Sequence, residues 1–146
     1  KGLITTYYVC CADKFPNMFT FSAPAESVYA AWHAVAADFD GFLRWAYNSW
    51  VENPLTDSRF RTWPAGDTYM VYPDARSSIR FERLVEGIQD VEKIRVLRKR
   101  YSEENTPESL TKLAQLEEAI GYFITLEPSA DWQDRLNDAK KLLNRL

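Results

Sequence analysis

The side chains best suited to chemistry in this sequence are aromatic rings set beside directional polar groups. Trp45, Tyr47, Asn48 and Trp50 fall in one run, Asp67 follows in a later segment, and Tyr72 and Arg76 close the series. Flat apolar rings stack on the C–H face of a sugar, while amide, carboxylate and guanidinium groups fix its hydroxyls. The set is therefore suited to holding a sugar. Asn48 and Trp50 carry the best case, because they end the run; Trp45 and Tyr47 serve equally well as plain core residues. Trp63 lies in the connection that follows. Arg80 sits near a helix start, an unfavourable place for a cation unless a carboxylate or ligand faces it. Asp57 and Arg59 read as an internal loop pair.

Metal and cofactor chemistry find no support. His33 is the only histidine, and Cys10 and Cys11 are adjacent with no second cysteine cluster to complete a zinc set. Neighbouring strand residues point to opposite faces, and a bond between them needs a strained ring, so both are expected as reduced thiols. His33, beside an apolar stripe, reads as a partly buried structural residue. No cofactor is expected.

The elements that must position these groups follow from periodicity. Ile4 to Cys11 is β-branched and aromatic and reads as a strand. A helix starts near Ser22 or Ala23, with Pro24 in its first turn and a stripe of Val28, Ala31, Trp32, Val35 and Phe39. Gly41 to Trp50 reads as a strand covered on both faces, because it shows no apolar–polar alternation. Val51 to Gly66 is irregular, and a connection of that length is usually functional or covered. Thr68 to Tyr72 reads as a third strand, stopped by Pro73. A helix from Ser77 or Ser78 to about Arg100 buries Leu84, Ile88, Val91, Ile94, Leu97 and Tyr101, with Arg80 and its charged neighbours on a solvated face. Thr106-Pro107-Glu108 starts a further helix, and Trp132 to Leu146 forms the last; the two read as an antiparallel hairpin.

The 146 residues suit a single domain, and 46% hydrophobic content excludes a disordered chain. A net charge of −3 offers no basic field for nucleic acid, and no apolar run reaches the length of a membrane span. The fold class expected is α/β: strand, helix, strand, loop, strand, helix, then a helical hairpin. Three parallel strands alone would leave long edges and one sheet face open. The missing strands are expected from the remainder of a longer chain or from a second copy. An opening that lacks Met and enters a strand at once fits a piece of a larger protein.

One ordered series is specific: Gly41-Phe-Leu-Arg-Trp-Ala-Tyr-Asn-Ser-Trp50, Asp57-Ser-Arg-Phe60, Gly66-Asp-Thr-Tyr-Met-Val-Tyr-Pro73, Ser77-Ser-Ile-Arg-Phe-Glu-Arg-Leu84 and Glu86-Gly-Ile-Gln-Asp90. It resembles the C-terminal part of bacterial proteins carrying the domain of unknown function 4091, relatives of glycoside hydrolase family 123. The resemblance spans roughly Thr6 to Arg100. It implies the C-terminal segment of a (β/α)8 TIM barrel over residues 1–101, with a helical extension over 102–146 packed on it. It also implies a glycan substrate containing N-acetylhexosamine, β-N-acetylgalactosaminidase-like chemistry, and a periplasmic or cell-surface location.

That chemistry is substrate-assisted: the sugar's 2-acetamido oxygen attacks the anomeric carbon, one carboxylate orients the acetamido group, and another protonates the leaving oxygen. Two departures stand out. Val28 occupies a position where the family often has Arg. The family's adjacent Asp-Glu pair occurs nowhere in this sequence. The implied role is substrate positioning and scaffold, with the catalytic acids elsewhere. The same aromatics would also serve a non-catalytic carbohydrate-binding or assembly module.

Overall fold

The computed structural model describes residues 2–59 and 62–146. Strand β1 (Thr6–Tyr8), helix α1 (Ala25–Ala36) and strand β2 (Gly41–Leu43) form a β-α-β unit. Its strands pair in parallel with Thr6 opposite Gly41 and Tyr8 opposite Leu43. After a long connection come helix α2 (Ile79–Glu104), helix α3 (Pro107–Gly121), a 3-10 turn at Tyr122–Ile124 and helix α4 (Trp132–Arg145). The described residues are thus mixed α/β, with four α-helices and a two-stranded parallel sheet.

The helices form where the spacing of apolar residues places them. Ser78 caps α2 by accepting from the Phe81 N–H, and Thr106 and Ser109 make a reciprocal capping box with Pro107 in the first turn of α3. Asn105, in a left-handed conformation, ends α2. One apolar cluster joins all four helices: Val28 and Trp32 from α1, Ile94 and Tyr101 from α2, Leu116 from α3, and Leu136 and Leu143 from α4. Gly87 permits the close α1–α2 crossing, since a Cβ there would lie 2.8 Å from the Ala31 Cβ. Polar ties fasten the cluster: Trp32 Nε1 donates to Asp90, and the Tyr101 hydroxyl donates to the Leu146 carbonyl at 2.6 Å.

Several expectations are corrected. Gly41 to Trp50 is a strand only as far as Leu43; the chain then bends, and Leu43, Trp45, Tyr47 and Trp50 are all exposed, so the run is not covered on both faces. Thr68 to Tyr72 is not a third parallel strand. It makes one isolated antiparallel bridge, Asn48 to Tyr69, and a second from Tyr72 to Arg76. The backbone reason is local: Gly66, Asp74 and Ala75 all take positive φ, which turns the chain on either side of the segment. Ile88 is exposed, whereas Arg80, expected on the solvated face, is buried. His33 is fully buried, with Nδ1 2.9 Å from the Phe123 carbonyl.

Among the described residues no third strand pairs with either outer edge of the sheet. Leu3, Ile4, Tyr8 and Leu43 lie exposed around it.

Candidate functional site

Both strands of a parallel pair end on the same side, and in β-α-β folds that side carries the site. Here the residues just past β1 and β2 meet the turn before Tyr69. The meeting is organised by a buried ion pair: the Arg44 Nη2 lies 2.8 Å from the Asp67 Oδ1, with side-chain exposures of 6% and 0%. Asp67 uses its other oxygen to accept from the Trp45 Nε1 at 3.0 Å. One carboxylate therefore fixes both a cation and an indole. Because the strand stops at Leu43, Arg44 and Trp45 do not alternate between faces but converge on that carboxylate.

Asn17 completes the frame. Its Oδ1 accepts from Arg44 Nη1 at 3.0 Å, and its amide donates to the Cys10 carbonyl at 2.8 Å and the Asp13 carbonyl at 2.7 Å. The turn after β1 is thereby tied to the segment after β2.

Arg80, in the first turn of α2, clamps the other side. Its Nη1 donates to the carbonyls of Met18 at 2.5 Å and Gly66 at 2.9 Å. It meets two backbone carbonyls, where its position near a helix start suggested a carboxylate or a ligand, and its guanidinium lies over the Tyr69 ring, 5.4 Å from the centroid. Burial pushes both guanidinium pKa values down, opposed at Arg44 by Asp67 and at Arg80 by the hydroxyls of Tyr72 and Tyr69. Burial also raises the Tyr69 phenol. An arginine stays charged at any pH a protein meets, so these shifts report the cost of burial and not a proton donor.

Above the frame lies a cleft of about 270 Å³ lined by Tyr8, Cys10, Cys11, Trp45 and Trp63. Trp45 and Trp63 meet edge to face at 5.9 Å and stay 45% and 38% exposed. The cleft is close to the lower bound of roughly 300 Å³ for small-molecule sites. A larger hollow of about 470 Å³ lies between α3 and α4, and an apolar groove of about 240 Å³ flanks the opposite, N-terminal end of β2. Neither touches the strand ends where Asp67 and Trp45 sit.

The expected site residues divide. Trp45 and Asp67 come together as described. Trp50 is exposed and donates its Nε1 to the Val71 carbonyl at 2.7 Å, while Asn48 and Tyr47 are exposed on the neighbouring bend. Tyr47 packs edge to face against Phe81. Tyr72 packs against the buried Tyr69, and Arg76 makes a loose surface pair with Asp74 at 3.7 Å. None of these five lines the cleft. Asp57 and Arg59 form their loop pair, with Arg59 Nε 2.8 Å from Asp57 Oδ1. Sequence reasoning missed Asn17, Arg44 and Cys10. The available signals were a lone Arg inside an apolar run and an Asn directly after Pro16.

Comparison with known proteins decides the family. The sequence model for the glycoside hydrolase 123 catalytic domain matches residues 1–97. The chain belongs to glycoside hydrolase family 123. A solved family 123 glycoside hydrolase from Clostridium perfringens, studied for glycolipid glycan hydrolysis, is similar over 98% of this chain with 28% identity and a TM-score of 0.74. This chain spans 27% of that enzyme's length. No curated protein matches it. Among the described residues of this family 123 chain, no cluster of three metal-ligating side chains occurs, and no helix is long and apolar enough to cross a membrane.

Proposed function

We propose that this chain is the C-terminal arc of a family 123 catalytic barrel of the kind seen with the domain of unknown function 4091. In this reading it positions an N-acetylhexosamine-containing glycan outside the bacterial cytoplasm, while the catalytic acids reside in the rest of the protein. The observation that supports this most is Trp45. Its indole is pinned by a fully buried carboxylate, yet its ring is left half open at the C-terminal ends of two parallel strands. Such a ring is preorganised to stack on a sugar without losing side-chain freedom on binding.

The unpaired edges of β1 and β2 are where the remaining barrel strands attach in this reading. Leaving Leu3, Ile4, Tyr8 and Leu43 in water forfeits burial worth on the order of 1.5–3 kcal/mol for each aliphatic side chain. Neighbouring strands would recover it.

The test is kinetic. In the full-length protein, Trp45→Ala raises KM for an aryl N-acetylgalactosaminide with a smaller effect on kcat, since stacking acts on ground and transition states alike. Residues 1–146 alone give no turnover. Hydrolysis by these residues alone would overturn the assignment of the acids to another part of the protein.

A further inference from the structure

Cys10 and Cys11 are not used by that reading. β1 ends at Tyr8, and the next residues open a turn in which the Cys10 N–H donates to Asp13 Oδ2 at 2.8 Å and the Asp13 N–H to the Cys10 carbonyl at 3.2 Å. Both thiols are reduced as expected, but a turn removes the strict alternation of strand side chains that would point them to opposite faces. The two sulfurs instead lie 4.0 Å apart, both free and both half-buried. Both line the cleft with Tyr8, Trp45 and Trp63.

We propose that Cys10 and Cys11 form a reversible redox pair that closes as a vicinal disulfide and reshapes the aromatic cleft. The pairing itself stands apart from the sugar reading; only its consequence for glycan binding rests on it.

The chemistry is a double exchange. The thiolate of one cysteine attacks a sulfur of an external disulfide such as glutathione disulfide, forming a mixed disulfide and releasing one glutathione thiolate. The second cysteine thiolate attacks the protein-side sulfur of that mixed disulfide and releases the second glutathione. The pair loses two electrons, which reduce the external disulfide, and the two protons pass to the released thiolates.

Closure brings the sulfurs from 4.0 Å to a bond length of about 2.05 Å. Adjacent Cα atoms sit only about 3.8 Å apart, below the usual disulfide span of about 4.4–6.8 Å, so the ring is strained. Strain and exposure make a disulfide easily reduced, which suits a switch rather than a permanent brace. The movement has a physical route to the site. Asn17 holds the Cys10 carbonyl and the Arg44 guanidinium together, and Arg44 and Trp45 share Asp67.

The experiment treats the full-length protein with glutathione disulfide and maps the peptide containing both cysteines by mass. The expected product has lost two hydrogens, carries no glutathione, and reverts with dithiothreitol; Cys11→Ser instead retains one glutathione. Two stable glutathione adducts, or two unmodified thiols, overturn the pairing. Tryptophan emission is followed in the same samples. Closure quenches emission in the native protein and not in the W45F/W63F double variant; closure with unchanged emission overturns the link to the cleft. Neither readout contains sugar, so a failure of N-acetylgalactosamine to bind counts against the sugar site alone.

Discussion

The helical half of the molecule and the strand-end half are held by different physics. Around Trp32, Ile94, Leu116 and Leu143 the helices bury large apolar side chains almost completely, and the few polar groups inside are tied to neighbours. Around Asp67 the order is reversed. Asn17, Arg44, Asp67 and Arg80 are buried while Trp45, Tyr47, Trp50 and Trp63 remain open. An apolar core tolerates small shifts, because dispersion and hydrophobic burial lack direction. A buried ion pair with shared hydrogen bonds fixes a geometry, and it does so without contributing much net stability. The contrast places directional bonds beneath the strand-end cleft and undirected apolar burial among the helices.

The largest effect expected is in the helical half. Trp32→Ala removes a fully buried ring and leaves Asp90 without the indole N–H, and should cost about 4 kcal/mol in denaturant unfolding. Amide exchange should accelerate throughout all four helices. Protection lost in α1 alone would break the picture of one shared core.

Asp67→Ala comes next, at about 3 kcal/mol, because it strands the buried Arg44 charge. Its exchange signature should differ: faster exchange at residues 44–50 and 65–70, with α3 and α4 little changed. The double variant D67A/R44M sharpens the comparison. Removing both charges should recover much of the loss, since the penalty is an unpaired guanidinium and not a missing attraction. Equal loss in single and double variants would show that the segment is held by packing, like the helices.

Gly66→Ala should cost about 2 kcal/mol by backbone strain and crowding. Gly66 has φ +85°, and a Cβ there would lie 2.5 Å from Arg80 Nη1 and 2.9 Å from Thr20. The effect should again be confined to the strand-end half. A stability loss matched in α3 would join the two regions into one cooperative unit.

The same division explains what the sequence revealed. Helices were legible because their stripes repeat within a few residues, and the burial of Val91, Ile94, Leu97 and Tyr101 follows directly from that spacing. The segment 41–50 misled because strand-forming side chains describe preference and not partners; β2 needs β1 from thirty-odd residues earlier, and beyond Leu43 the parallel ladder stops, leaving the isolated antiparallel bridge from Asn48 to Tyr69. Asp67 and Trp45 were legible as types, but their union required the chain reversal around Gly66. Arg80 was flagged by its unfavourable helix position, yet its solution, two backbone carbonyls, leaves no trace in side-chain identity.

The smallest effect concerns an ion pair outside both halves. Asp57 accepts a fork from the Arg59 guanidinium together with the Arg59 backbone N–H, and these hold its pKa down to about 2. The folded value lies below that of an unfolded aspartate, so the pair's contribution is present above the ordinary aspartate range and is lost as pH falls through about 2. Both side chains are open to solvent, which screens the pair and keeps its energetic weight small. A carboxyl carbon titration by NMR should therefore show Asp57 with a midpoint near 2 while denaturant stability hardly responds to Asp57→Asn. A midpoint in the ordinary range would mean that the fork opens in solution. A large stability loss would instead make this loop a third supporting region and end the two-part division.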